Sequence, residues 1–166
     1  MATLAIVDRE AQVDIGEMLA EHRPVLLAAA RLITLNEAEA QDVVQITFEI
    51  ALRRAHTLRE PGSLRAWLLA IETREAVRRV RVMRRFLSFG SQVVEIVVPA
   101  QPHDDLLALR DGMRALPRRV RAAIALHYLE GYSVRETAAT LGVSENTIKT
   151  QLKKGLARLR EELRDE

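Results

Sequence analysis

The sequence predicts an all-α protein made of two small helical domains joined by a flexible linker, and three observations predict it. Apolar residues recur at three- and four-residue spacings over most of the chain. Ala, Leu, Arg and Glu dominate while aromatics make up only 4%, a composition that favours helix over sheet. The helical pattern is lost at length in one stretch, which carries Gly90, Ser91, Pro99 and Pro102. The expected division is residues 15–87, a linker over 88–105, and residues 106–166. Each part is small, so each core alone is modest.

The first helical segment, Glu17–Leu35, carries Met18, Leu19, Val25, Leu26 and Leu32. Pro24 falls inside it and is expected to start a fresh helix, because proline suits a first turn and breaks an interior. The next helix has Asn36 as N-cap, with acids in its first turn. Val43, Ile46 and Ile50 form one apolar row, and Val44, Phe48 and Leu52 another. Between the rows runs a polar stripe of Asp42, Gln45, Glu49 and Arg53, which such a helix shows to the outside.

Glu60-Pro61-Gly62 breaks the pattern, and Ser63 is the expected N-cap of the following helix. Leu64, Trp67, Leu68 and Ile71 make its apolar side, with Trp67 a core anchor rather than a platform for bases. Its end is basic: Arg74, Arg78, Arg79, Arg81, Arg84 and Arg85 have one acid, Glu75, among them. Cations near a helix C-terminus are favoured by the macrodipole. Six in twelve positions repel one another unless phosphates supply counter-charge, which points to nucleic acid.

In the linker, Val93, Val94, Ile96, Val97 and Val98 suit a short strand, yet no second strand is evident. The run therefore docks on the protein's own domains or on a partner; the sequence favours neither. Beyond it, one helix ends at Leu116-Pro117, a second at Glu130-Gly131 and a third at Gly142. A fourth begins at Ser144 and has Ile148, Leu152, Leu156, Leu159 and Leu163 along one face.

The net charge of +2 says little about partners. Cysteine is absent, so disulfides and thiolate metal sites are excluded. His22, His56, His103 and His127 show no metal-ligand spacing, and His127 reads as structural. No nucleophile motif, glycine-rich phosphate loop or carboxylate cluster is present, so neither an enzyme nor a cofactor is expected. The sequence shows no signal peptide and no apolar run near the ~20 residues that span a bilayer. A cytoplasmic protein without membrane insertion is the expectation.

The stretch YSVRETAATLGVSENTIKTQLKKGL is the most informative. Two short helices meet at Leu141-Gly142-Val143-Ser144, where Gly142 can take positive φ and Val143 can plug the gap. Ala138 is small where the helices approach, and Ser144 caps the second one. This is a helix-turn-helix pattern, whose second helix enters the major groove. Glu145, Asn146, Thr147, Lys149, Thr150 and Lys153 are the candidate contacts to base edges and phosphates. Alone, the motif leaves open an initiation factor, a dimeric repressor or activator, and an output domain.

Two stretches decide between them by resemblance. Asp42, Val44, Gln45, Thr47 and Phe48, followed by Gly62, Ser63, Arg65, Ala66, Trp67, Leu68 and Ile71, resemble the first conserved domain of ECF-type sigma factors. Leu116-Pro117, Arg121, Glu130-Gly131, Glu136, Ala138, Leu141-Gly142, Thr147 and Lys149 resemble their last. The resemblance implies a region 2-like domain over 15–87 and a region 4-like domain over 106–166. It further implies core RNA polymerase docking through Asp42, Gln45, Glu49 and Arg53. Minus-ten DNA, melted to single strands, would be held by Ser63, Arg65, Arg74, Arg78, Arg79 and Arg81, and duplex minus-thirty-five DNA by the second helix of the motif. An anti-sigma factor is a further implied partner, and the free protein is expected to be a monomer. Arg74 and Arg78 stand where the family often has Asn and Asp, Gln151 replaces a common arginine, and Gly155 a common alanine.

Overall fold

The first apolar pattern becomes one uninterrupted helix in a computed structural model that describes residues 3–58, 60–86 and 111–162. Helix α1 spans Thr3–Thr34 with Pro24 inside it, so the fresh start expected at Pro24 does not occur. The reason is local. Proline forfeits only the bond to the Ala20 carbonyl, and Ala20, Arg23 and Pro24 are all exposed, where water can satisfy that oxygen. Buried Leu19 and Leu26 hold the helix to the core on either side.

Helix α2 spans Glu37–Arg54, and Asn36 caps it by accepting from the Glu39 amide at 2.8 Å. Its buried side is Ala40, Val43, Val44, Thr47 and Ala51, with the Thr47 hydroxyl donating back to the Val43 carbonyl. Leu52, expected to extend an apolar row, is instead 45% exposed. The joint between α1 and α2 is tight. Leu35 sits there at φ +54, a left-handed conformation that costs roughly 1–2 kcal/mol for a residue with a Cβ.

A short turn at Pro61–Ser63 leads into α3, Leu64–Phe86. Ser63 lies at the boundary, but its hydroxyl donates back to the Glu60 carbonyl at 2.7 Å. Leu26 and Ile33 of α1, Val43 and Val44 of α2, and Leu68 and Leu69 of α3 form the first core, with Trp67 half-buried against it. The linker over 88–105 and its apolar run lie outside the described residues.

The second half begins with a helical turn at 111–114 and continues as α4, Arg118–Ile124. The helix then widens to a π-helical turn over Ala125–Leu129, closed by bonds from the Glu130 amide to the Ala125 carbonyl and from the Tyr132 amide to the Leu126 carbonyl. Helices α5 (Val134–Leu141) and α6 (Glu145–Glu162) complete it. Met113, Leu116, Ile124, Ile148, Leu152 and Leu159 form the second core. Gly155 lets α4 and α6 approach: a Cβ there would stand 2.8 Å from Val120 Cγ1 and 3.1 Å from Ile124 Cδ1. Among the described residues every regular element is helical.

The halves are packed on one another. Ala122 and Ala125 join the first core, while Leu32 and the strained Leu35 pack against the second. Arg118 forms a two-pronged pair with Glu39 at 2.6 Å on both arms and also donates to the Ala76 carbonyl at 3.1 Å. Arg121 is buried, and its guanidinium donates to the carbonyls of Ile33, Met113 and Leu116. The Ile33 carbonyl belongs to the last turn of α1, where the macrodipole favours a cation. Desolvation lowers the Arg121 pKa to about 10, and Arg118 nearby adds to the fall, but the group stays charged at neutral pH.

Candidate nucleic-acid interface

Helix α5 is started by a reciprocal cap. The Ser133 hydroxyl accepts from the Glu136 amide, and the Glu136 carboxylate accepts from the Ser133 amide at 2.8 Å. The Ser133 hydroxyl also donates to that carboxylate at 2.6 Å, and this bond, followed by the one from the Ser133 amide, lowers the Glu136 pKa. The helix ends at Gly142, whose φ of +65 is the left-handed cap that glycine adopts without strain. The Val143 amide then bonds the Ala138 carbonyl at 3.1 Å. Ser144 caps α6, accepting from the Thr147 amide at 3.2 Å. The helix-turn-helix read from the sequence is therefore built by the residues expected to build it.

With Ile148, Leu152, Gly155 and Leu159 turned into the core, α6 exposes Glu145, Asn146, Lys149, Thr150 and Lys153 along its first turns. These are donors, acceptors and cations at the end of a helix that fits a major groove. Thr147 differs: it is half-buried and its hydroxyl lies 2.8 Å from that of Ser144. Its position serves the cap first.

The stripe on α2 is also exposed. Asp42, Gln45, Glu49 and Arg53 all face solvent, with the Gln45 amide 3.4 Å from Glu49. The sequence pattern located this surface correctly because the buried side of α2 lies opposite.

The basic face of α3 is arranged otherwise. Ser63, Arg65, Arg74 and Arg78 are exposed, whereas the side chains of Arg79 and Arg81 lie outside the described residues. Arg65 reaches across to Glu130 of the second half at 2.6 Å, and Arg74 donates to the Thr140 carbonyl of α5 at 3.0 Å. Arg78 pairs with Glu75 at 2.7 Å on its own helix. Two of the residues expected to hold minus-ten DNA are thus held by the second half.

Between these contacts lies a covered polar cluster that sequence reasoning missed. Glu72 is fully buried and neither of its carboxyl oxygens has a partner. Burial, reinforced by Glu130, raises its pKa well above the ordinary value, so the proton is retained into a higher pH range. Tyr132 Oη is also buried without a partner, and burial together with Glu130 raises its pKa. His127 Nδ1 lies 2.6 Å from the Tyr132 carbonyl, so that histidine is structural, as expected. Among the described residues no group of histidines and acids is arranged to hold a metal, and no helix is long and apolar enough to cross a membrane.

The family description "Sigma-70 region 2" matches residues 18–86, and "Sigma-70, region 4" matches residues 106–159. The RNA polymerase sigma-E factor of Streptomyces coelicolor is 30% identical over 149 residues, covering 89% of this chain and 84% of that one. RNA polymerase sigma factor SigV of Bacillus subtilis is 26% identical, covering 89% and 90%. Among solved structures, the sigma factor RpoE in complex with the anti-sigma factor NepR from Bartonella quintana has a TM-score of 0.77 at 27% identity, over 91% of this chain and 97% of that one. CnrH in complex with the cytosolic domain of CnrY has a TM-score of 0.65 at 25% identity, over 97% of each chain.

Proposed function

Since this chain belongs to the ECF sigma factors of the sigma-70 family, and so directs promoter-specific initiation by core RNA polymerase rather than catalysing a reaction, we propose how its residues divide that work. Residues 15–87 serve as the polymerase-docking and minus-ten half, residues 106–166 as the minus-thirty-five half, and 88–105 as the connection. The exposed stripe Asp42, Gln45, Glu49 and Arg53 on α2 meets the polymerase. The exposed face of α6, from Glu145 to Lys153, reads duplex DNA. Ser63, Arg65, Arg74, Arg78, Arg79 and Arg81 hold the minus-ten strand.

The observation that carries this reading is the helix-turn-helix, capped and turned by Ser133, Gly142 and Ser144, on a chain whose α2 presents an unbroken polar stripe. The packed halves add a condition. Arg65 is ion-paired to Glu130 of the second half and Arg74 lies against α5, so the minus-ten face is partly covered in this arrangement, which is a resting state that opens on the polymerase. The solved relatives were captured with an anti-sigma factor and with the cytosolic domain of CnrY, which supports an anti-sigma partner for this chain. The work of a polymerase subunit places the protein in the cytoplasm.

The test is co-elution with bacterial core polymerase, comparing wild type with Asp42→Arg plus Gln45→Ala. The expected result is a stable wild-type complex that the double variant weakens by at least tenfold. Equal binding by both would move the docking surface away from α2.

A further inference from the structure

A cavity of about 790 Å³ lies where the halves meet, walled by α3 on one side and by the turn before α4, α4 itself and the helix-turn-helix joint on the other. Its charge is one-sided. Of the thirteen described residues that line it, Arg74, Arg78, Arg114, Arg118, Arg119 and Arg121 are arginines, and none of the thirteen is acidic. The nearest counter-charges are the partners of three of them: Glu39 for Arg118, Glu75 for Arg78 and Asp111 for Arg114. Among the described residues, three carboxylates against six guanidinium groups leave an excess of three positive charges.

These arginines are not equally occupied. Arg118 and Arg121 are committed to the interface itself. Arg78 and Arg114 hold acids of their own helix or turn; both members of the Arg114 pair are exposed, and Arg78 is exposed although Glu75 is only 14% so, so a stronger anion can draw both guanidinium groups away. Arg74 uses only its Nε on the Thr140 carbonyl. Arg119 makes no hydrogen bond or ion pair with the described residues. Four guanidinium forks from both walls can therefore turn to one ligand, and planar forks match phosphate oxygens two at a time.

Gln151 apart, the rest of the described lining is apolar. Val77, Leu116, Leu141 and Val143 present surface that inorganic phosphate would not use but a flat heterocycle would. Gln151, also in the lining, has a covered amide oxygen with no donor, which an exocyclic amine or a ribose hydroxyl can satisfy once the amide turns. The volume lies within the ordinary range for small-ligand pockets, roughly 300–1,000 Å³. A duplex is too wide for such a cleft.

We propose that this interdomain cleft binds a nucleoside polyphosphate, phosphates on the arginines and base against the Val77–Leu141 surface. Because the walls come from different halves, the ligand holds the closed arrangement. Because Arg74 and Arg78 line the cleft, it competes with minus-ten DNA; only that consequence rests on the assignment of function above.

The experiment is isothermal titration of the full chain with ATP, GTP, inorganic tripolyphosphate and adenosine at 150 mM salt. Wild type is compared with Arg114→Ala plus Arg119→Ala, and with Ala115→Trp, which fills the cleft without touching a charge. Circular dichroism melts confirm that each variant is folded. Expected are binding of at least one triphosphate tenfold tighter than tripolyphosphate, no binding of adenosine, and a tenfold or greater loss in both variants. No binding at millimolar nucleotide, or binding unchanged in both folded variants, overturns the site. Equal affinity for tripolyphosphate and nucleotide overturns the nucleoside assignment. None of these readouts involves polymerase or promoter, so failure here is distinct from failure of the functional reading.

Discussion

Replacing Arg118 and Glu39, singly and together, measures what holds the halves closed. The side chains are only 19% and 13% exposed, and both arms of the pair measure 2.6 Å. A charge-assisted, two-pronged bond in so covered a place is worth more than the ~0–1 kcal/mol of a surface pair. Arg118→Ala also loses the bond to the Ala76 carbonyl and leaves Glu39 covered without its cation. We expect about 3 kcal/mol for Arg118→Ala and a coupling energy of about 2 kcal/mol in the cycle. The coupling alone shifts the closed-to-open ratio roughly thirtyfold. The chain has no cysteine, so Ala28→Cys in α1 and Ala157→Cys in α6, both at exposed positions, give clean sites for a fluorescent donor and acceptor. Transfer efficiency should fall in either single variant, with the double variant little worse than the worse single. Additive losses, with coupling below about 0.5 kcal/mol, would refute the latch, as would unchanged transfer in Arg118→Ala.

Three other outcomes follow from particular residues. Glu72 holds its proton to higher pH in the native protein than in the unfolded chain, which releases it near 4.5. Its contribution is therefore intact below that pH and is lost as pH rises through the elevated native pKa. Glu72→Gln should raise the melting temperature at pH 8 and flatten its decline between pH 5 and 8; parallel curves for variant and wild type would sink this account. Gly155→Ala gains ~1 kcal/mol of helix propensity but forces a methyl against Val120 and Ile124. Overpacking of about 1–3 kcal/mol should prevail, and urea melts should show Val120→Ala relieving it. Lys149→Ala should weaken binding to duplex promoter DNA by polymerase holoenzyme and lower the slope of affinity against salt by about one ion if it meets a phosphate. An unchanged slope and affinity would remove Lys149 from the interface.

Features set by neighbouring residues were legible before the structure. The Asn36 and Ser144 caps, the left-handed Gly142 and the exposed stripe on α2 each follow from a few adjacent side chains. Pro24 misled because its rule concerns a lost bond, whereas exposure of Ala20 decides whether that loss matters. Leu52 extends an apolar row in sequence, but the covered side of α2 runs through Val44, Thr47 and Ala51, and Leu52 falls outside it. The interdomain face was invisible for a stronger reason. Arg121 donates to a carbonyl on Ile33, and Arg118 pairs with Glu39 in the other half; no periodicity links residues so far apart. Glu72 reads as one more surface acid of an amphipathic helix until α3 is seen to be covered on that side too.

The reach of Arg121 also bears on how the protein is made. Its bond to the Ile33 carbonyl joins residues 88 positions apart, so at roughly 5–20 residues per second of synthesis the end of α1 waits on the order of ten seconds for its guanidinium. Throughout that interval the nascent first half carries the exposed polar stripe of α2 without the half that closes over α3. The protein is thus born open, and its resting state is reached only when translation has supplied the last third of the chain.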